Sequence, residues 1–533
     1  MSLAEGPTPN RNWSDARACV AHIAALPLVN PREAHAGLVA LLKGASGNPP
    51  PAAAYLDVLE TARAALVFVQ GELALRYAAK PLPPLPGEEE AFRQVLFLWR
   101  AMAGAYAQVA QLGGDDAAVQ DRLALICQRC IHYSGQVILE YFRARREPER
   151  GAWIELHGYF ATAEEWGLAS VAVSEPLGEP RKSQSCAEAY AAILLADLAN
   201  PYSRGLREFG RIARWAQRFA PFTAFSQPGA GAPEHAFGID LMQDRGARPL
   251  ELLARGESVR SFDTSRLVPE LQELLARLKQ NAAPAALGLG EDCTVAAAGH
   301  LLVQLYRPWC LNATPRRFQR REASGAAQAC LGFEAIHFHI SGDEFNQPEH
   351  VRLYSRGDME RIWTFRDQVD PTQTLRMRAA QIAYPLETWE LADQSASGFR
   401  LRRGAAGERI EHGQLFCMQP PDGEPFLLAQ VSWLMLEVGG GLLAGVRVLP
   451  GAPPQGIALR PSGLMVSPSE RYVRAFLLPA LPALKEPDSL VVPQGWFQPE
   501  RVVEVFTDRQ IRLRFSELLL RGADFERVSF VRL

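Results

Sequence analysis

At 533 residues the chain exceeds what one ordinary core holds, and the usual domain size divides it into about three domains. Its 48% hydrophobic and 22% charged residues are those of a folded protein, and a net charge of −3 gives no reason to expect wholesale nucleic-acid binding, so any anion site has to be local. No run of about eighteen uncharged apolar residues occurs, and the first residues lack a basic stretch followed by an apolar one, so the expectation is a cytoplasmic protein without a membrane span.

The first third reads as helical. Asp15 to Ala25, Pro31 to Leu42, Ala52 to Ala79, Glu88 to Leu112, Ala117 to Arg146 and Ile154 to Trp166 place apolar residues three and four apart and are rich in Ala, Leu, Glu and Arg, which lose least on entering a helix. Proline-rich breaks fall at 47–51 and 81–87. The pattern is that of stacked helical hairpins, without the signature residues of a true repeat array. A second helical block runs from about Lys182 to Phe219. A change of texture near 220 leads to a short strand at Phe237 to Leu241 and to helices at Leu267 to Lys279 and Val295 to Arg307, so the middle third is mixed.

Eight scattered cysteines fit reduced, buried thiols rather than a disulfide framework. Cys127 and Cys130 have C-x-x-C spacing inside a helix, but no second pair or histidine completes four metal ligands, and they read as buried helix cysteines.

From about residue 329 strands prevail. Ala335 to Ile340 alternates apolar and polar residues as a half-buried strand does, which would put His337 and His339 on one face as the start of a metal site, although no third ligand follows. Further strands are expected at 399–402, 430–434, 443–449, 456–460, 473–478, 489–493, 502–506, 511–515 and 528–533.

Between a strand-like run containing Tyr384, Trp389 and Leu391 and the run at 399–402 lies Asp393-Gln394-Ser395-Ala396-Ser397-Gly398. An acid, a hydroxyl and a glycine spaced D-x-S-x-x-G make a tight connection: the glycine can take positive φ, and Asp and Ser can satisfy turn amides or face a ligand. The apolar strand Gln430-Val431-Ser432-Trp433-Leu434 follows, then Gly439-Gly440-Gly441, then Gly445-Val446-Arg447-Val448. This order resembles the PilZ family, six-stranded β-barrels that act as bacterial receptors for cyclic di-GMP, over roughly residues 375 to 450. With the helical and mixed regions read above, it leads to the expectation of a multidomain α+β protein. It would have a helical N-terminal region of stacked hairpins (1–219), a mixed α/β region (220–365), a PilZ-like β-barrel (366–450) and a C-terminal β extension or completion of that barrel (451–533).

The resemblance also implies a site. Cyclic di-GMP presents two phosphodiester anions and two guanines, and arginine suits both because its planar guanidinium grips phosphate bidentately and stacks on purines. By position in the family motif, Asp393 and Ser395 are base or backbone contacts and Gly398 lets the turn close. The family's R-x-x-x-R segment is degenerate just upstream, where Arg376 and Arg378 are two apart. The spacing is present in Arg316/Arg320 and Arg317/Arg321, about seventy residues before Asp393, where the family gap is about twenty. Trp433 is expected in the barrel core.

No G-x-x-x-x-G-K-[ST], G-x-S-x-G or H-E-x-x-H occurs, and Leu287-Gly288-Leu289-Gly290 lacks the third glycine of a dinucleotide fingerprint. The expectation is a non-enzymatic regulatory protein with no cofactor. Cyclic di-GMP is its ligand, and a protein effector of unknown identity is contacted by the helical region. Two alternatives stand beside it: a degenerate PilZ scaffold that binds no nucleotide, and an enzyme whose site has no familiar motif.

Overall fold

The computed structural model describes residues 12–178, 182–228, 236–311, 321–348, 383–395, 397–421, 423, 425–462, 471–507 and 509–533. The chain divides into two compact units, one of residues 1–80 with 84–315, the other of residues 81–83 with 316–533.

The first unit opens with helices α1 (Ala16–Ala24), α2 (Pro31–Gly47), α3 (Ala52–Ala74), α4 (Pro86–Leu112), α5 (Ala117–Gln120), α6 (Leu123–Arg143) and α7 (Ala152–Glu165). They match the periodicity closely. Helix α6 ends early for a local reason: Arg145, just past its cap, takes φ of 52°, left-handed backbone that no helix continues through. A two-stranded ribbon follows, β1 (Val173–Ser174) with β2 (Ser183–Gln184), then α8 (Cys186–Leu198) and α9 (Leu206–Phe219). Ser185 starts α8 with a capping box, its hydroxyl accepting from the Glu188 N–H while Glu188 accepts from the Ser185 N–H. A small antiparallel sheet in the order β3-β6-β4-β5 comes next, from β3 (Ala224–Ser226), β4 (Phe237–Asp240), β5 (Arg248–Pro249) and β6 (Val259–Asp263). Helices α10 (Leu267–Lys279) and α11 (Val295–Cys310) complete the unit.

Helix α6 is apolar enough to serve two cores. One side packs with α1–α4 around Tyr55, Leu59, Tyr106 and Tyr133, the other with α7–α11 around Ile138, Tyr190, Trp215 and Trp309. Each such fully buried side chain contributes about 1.5–3 kcal/mol of transfer free energy. Cys127 and Cys130 are buried on this helix, and burial pushes the Cys127 thiol up to about 11.

The second unit is built from two closed barrels. The first uses β8 (Ala326–Leu331), β9 (Glu387–Ser395), β10 (Gly398–Arg403), β11 (Leu415–Gln419), β12 (Leu427–Leu436) and β13 (Leu442–Val448). The pairing β10-β13-β12-β11-β8-β9 closes through β9–β10, and β7 (Arg321–Glu322) adds beside β9. Trp389, Leu401, Phe416, Val431 and Leu434 fill its interior, joined by Leu82, which exchanges both backbone hydrogen bonds with Ile410. The second barrel closes in the order β14-β15-β16-β19-β18-β17, from β14 (Gln455–Pro461), β15 (Val473–Leu478), β16 (Ser489–Pro493), β17 (Val502–Phe506), β18 (Gln510–Arg521) and β19 (Phe525–Arg532). The α+β architecture with a helical N-terminal region and C-terminal barrels is that expected from the pattern.

One element differs. Phe333–Ser341 is a helix, α12, and not a strand. Gly332 and Gly342, both at φ 78°, bound it, and Phe333 packs against Phe476 with ring centroids 5.5 Å apart. Six residues of mixed polarity fit either period, and only the packing surface decides between them. His337 and His339, two apart on a helix, therefore share no face. His339 Nε2 is instead bonded to the Tyr384 carbonyl at 2.9 Å.

Candidate functional site

The D-x-S-x-x-G segment joins β9 to β10. In an unbroken strand Trp389, Leu391 and Asp393 would all face one way, into the barrel. A β-bulge prevents this: Leu401 opposes Leu391 while Arg400 opposes Asp393, so Ala392 is the extra residue. The bulge flips the alternation, and Asp393 and Ser395 turn to the outer face. A second bulge does the same on β12, where Val446 opposes Val431 and Gly445 opposes Trp433, leaving Ser432 over. Trp433 is half-buried on the outer face and not in the core where the sequence suggested it.

Two cross-strand rows result. In the first, Asp393, Arg400, Gly445 and Trp433 lie opposite one another on β9, β10, β13 and β12, with Glu322 of β7 opposite Asp393 on its other side. Arg400 Nη1 is 3.8 Å from Asp393 Oδ2, and its guanidinium carbon is 6.0 Å from the Trp433 ring. Gly445 makes this possible, because a Cβ there would overlap the Trp433 indole. In the second row Ser395, Gly398, Arg447 and Gln430 are opposed, with Arg447 exposed. The Ser395 hydroxyl donates to the Gly398 carbonyl at 3.2 Å and so ties the turn closed.

Gly398 is a glycine for a different reason from the one its motif suggested. Its φ is not positive; a Cβ would overlap the Val446 carbonyl oxygen where β10 meets β13.

Of the arginines singled out in the sequence, Arg321 stands exposed on β7 opposite Gln394, one residue from Asp393. The long gap in sequence between the cluster and the turn is taken up by α12 and residues 342–386, inserted between β8 and β9. Arg316, Arg317, Arg320, Arg376 and Arg378 lie outside the described residues. Sequence reasoning missed Arg400, Arg447 and the outward Trp433. The G-V-R-V strand and the Phe-Arg-Leu-Arg strand after the turn were visible, and plain alternation puts both arginines outward; that Asp393 and Trp433 join them depends on the bulges.

The outer face therefore combines forked cations (Arg400, Arg447), oxygen acceptors (Asp393, Ser395) and an indole, while Arg321, opposite Gln394, belongs to the neighbouring row of Phe399 and Val446. This is the donor set for a phosphorylated, aromatic ligand. Among the described residues no group of three or more His, Cys, Asp or Glu is placed to hold a metal ion, and no helix is long and apolar enough to cross a membrane.

Three family models match the chain in succession: the N-terminal domain of the cyclic-di-GMP receptor FimW over residues 17–230, the middle PilZ domain of that receptor over 237–361, and the FimW C-terminal β-barrel domain over 457–533. A curated relative, the cyclic-di-GMP receptor FimW of Pseudomonas aeruginosa, is 26% identical over 396 residues, which is 67% of this chain and 63% of that protein. The likeness is thus not confined to the C-terminal part, as the turn motif alone suggested. The PilZ match ends at 361, upstream of the turn, but it includes β8, which pairs with β9 and β11 in the barrel that carries the turn.

Proposed function

From a chain that is a FimW homologue with a PilZ domain, we propose a bacterial regulatory protein that binds cyclic di-GMP on the outer face of its first barrel. The observation that carries this reading is the convergence of Asp393, Ser395, Arg400, Arg447 and Trp433 on one face, to which two bulges turn Asp393, Ser395 and Trp433.

In this reading Arg321, with Arg316, Arg317 and Arg320 immediately before it in the chain, grips the phosphodiesters bidentately. Arg447 and Arg400 line the floor beneath the ligand, and Arg376 and Arg378 are secondary candidates for the same anions. Asp393 accepts from a guanine N–H edge, Ser395 and Gly398 hold the turn in shape, and Trp433 offers a face on which a purine or a guanidinium stacks. The protein acts as a cytoplasmic receptor and not as an enzyme. Ligand binding favours one conformation of the chain, which a protein effector reads through the helical unit.

Isothermal titration of the full chain with cyclic di-GMP tests the proposal. Saturable heat at micromolar ligand, lost in an Arg321→Ala/Arg447→Ala double variant, is expected. No heat at high micromolar ligand with folded protein overturns it and leaves the reading of a scaffold that binds no nucleotide.

A further inference from the structure

Cys330 and Cys417 stand directly opposite one another on the antiparallel strands β8 and β11, with Leu331 opposite Phe416 and Ala329 opposite Met418 on either side. Those flanking residues point into the first barrel, so alternation turns both cysteines to its outer face. That face is covered. Ile336 of α12 and Phe476, Leu478, Val491 and Phe525 of the second barrel pack over it, and Cys330 and Cys417 are only 4% and 0% exposed. The two thiols lie within hydrogen-bonding reach of each other. Directly opposed antiparallel residues have Cα atoms about 4.5–5.5 Å apart, inside the range of about 4.4–6.8 Å that a disulfide spans. Bridging the pair asks for no change of register.

One of the two can be reached from solvent. Cys330 is in the wall of a cavity of about 360 Å³, formed with the start of α12 and with Tyr384, Glu387, Glu408 and Gln414. Glu334, Ala383, Pro385 and Glu408 stand in the same wall and are exposed, so the cavity opens outward. Its walls hold three carboxylates and no basic side chain; Arg474 pairs with Glu334 at 2.9 Å, and Arg403 with Glu387, from outside them. Such a hollow admits a small neutral reactant more readily than a large anionic one. The apolar cover also bears on the product. Two thiolates around Cu(I) would bring a net negative charge under it, whereas a disulfide is neutral.

We infer that Cys330 and Cys417 are a redox pair, oxidised by a neutral peroxide to a cross-strand disulfide that ties β8 to β11 beneath the second barrel. Cys330, in the cavity wall, reacts first. Its Sγ attacks one peroxide oxygen, the O–O bond breaks, and the departing hydroxide takes the thiol proton and leaves as water. The Cys417 Sγ then attacks the sulfenic sulfur of Cys330, the S–O bond breaks, and hydroxide leaves with the Cys417 proton as a second water. Two thiols have lost two electrons and one hydrogen peroxide has gained them. Burial and the neighbouring Cys330 hold the Cys417 thiol well above its ordinary value, which keeps it from competing for the peroxide. In the second step its fixed position beside the sulfenic sulfur makes up for the small thiolate fraction. None of this depends on nucleotide binding by the barrel.

The test treats the full chain with hydrogen peroxide, alkylates it with N-ethylmaleimide in denaturant, digests it without reductant and reads the peptides by mass spectrometry. A peptide pair joined through Cys330 and Cys417, lighter by two hydrogens and released by dithiothreitol, is expected. It should form about tenfold faster or more with hydrogen peroxide than with glutathione disulfide at the same concentration. In Cys417→Ala, dimedone is expected to trap a sulfenic acid on Cys330, and in Cys330→Ala to leave Cys417 unlabelled. Circular dichroism verifies folding, and the wild-type cross-link decides the question without either variant. Two thiols still free after peroxide, a cross-link between other cysteines in place of this one, a reaction as fast with glutathione disulfide, or dimedone on Cys417 in preference to Cys330 each overturns the inference. A failed cyclic di-GMP titration leaves it standing.

Discussion

In the helical unit Arg63 and Arg129 are buried, 2% and 0% exposed, and their guanidinium nitrogens are committed. Arg63 donates to Tyr133 at 3.1 Å and to Glu175, while Arg129 grips Glu60 at 2.8 and 2.9 Å and Glu175 at 2.7 Å. On the first barrel Arg400 meets Asp393 only at 3.8 Å, and Arg321 and Arg447 are exposed. The second barrel has the same strand number, and three of its arginines are closely paired: Arg460 with Glu504 at 2.8 Å, Arg514 with Glu500 at 3.0 Å and Arg527 with Glu486 at 3.1 Å, while Arg512 and Arg532 meet Glu504 and Asp488 only at 3.8 and 3.7 Å. What marks the first barrel among the described residues is that Arg400 and Arg447 stand on one outer face with Asp393, Ser395 and the Trp433 indole.

The contrast can be broken from either side. Glu175→Ala leaves Arg63 and Arg129 buried without their shared carboxylate, and a loss of about 3–5 kcal/mol is expected in chemical denaturation. Cyclic di-GMP binding by the surviving folded protein should be intact, and a matching loss of affinity would argue against separate roles for the two arginine sets. Conversely, Arg400→Ala and Arg447→Ala should each weaken cyclic di-GMP by about 1.5–3 kcal/mol, about ten- to a hundredfold or more in Kd by calorimetry, with the unfolding midpoint little changed.

Gly445→Val probes the platform between them. The added side chain collides with Trp433, so a destabilisation of about 1–3 kcal/mol by thermal unfolding is expected together with weaker ligand binding. Stability with normal affinity would remove Trp433 from the site.

The pH dependence has a definite sign. Burial pushes His132 and His337 down to about 4, so the folded protein keeps both neutral where the unfolded chain takes up protons. The contribution of these two histidines should be level above about pH 6.5 and fall progressively from there towards pH 4, while Asp197, which burial raises to about 7, contributes in the opposite sense. Thermal unfolding across that range, compared with a His132→Gln/His337→Gln variant, should show a shallower fall in the variant. The smallest effect is expected for Arg514→Ala on the second barrel, about 0.2–1 kcal/mol in stability and none on cyclic di-GMP binding.

Much of this was legible in the residues. The helices of the first unit follow from apolar residues three and four apart, and strands 473–478, 489–493 and 502–506 fall where alternation and turn residues put them. Segment 333–341 was misread because a short run of mixed polarity satisfies both periods, and its helical state comes from packing on Phe476. The candidate site was half legible. Asp393, Ser395 and Gly398 were singled out from their spacing, but the outward Trp433 was not, since the bulge at Ser432 inverts inside and outside for the residues that follow, and Arg400 was passed over although plain alternation puts it outward.

The sequence by itself determined most of the helices and strands and where the turn lies, because propensity, period and motif are local properties of the chain. Only the tertiary structure decided that β9 and β12 are bulged, that Arg321 sits opposite Gln394 despite the residues inserted between β8 and β9, and which arginines are consumed in pairs. Those outcomes depend on strand register and on partners far away in the chain, and no local pattern encodes either.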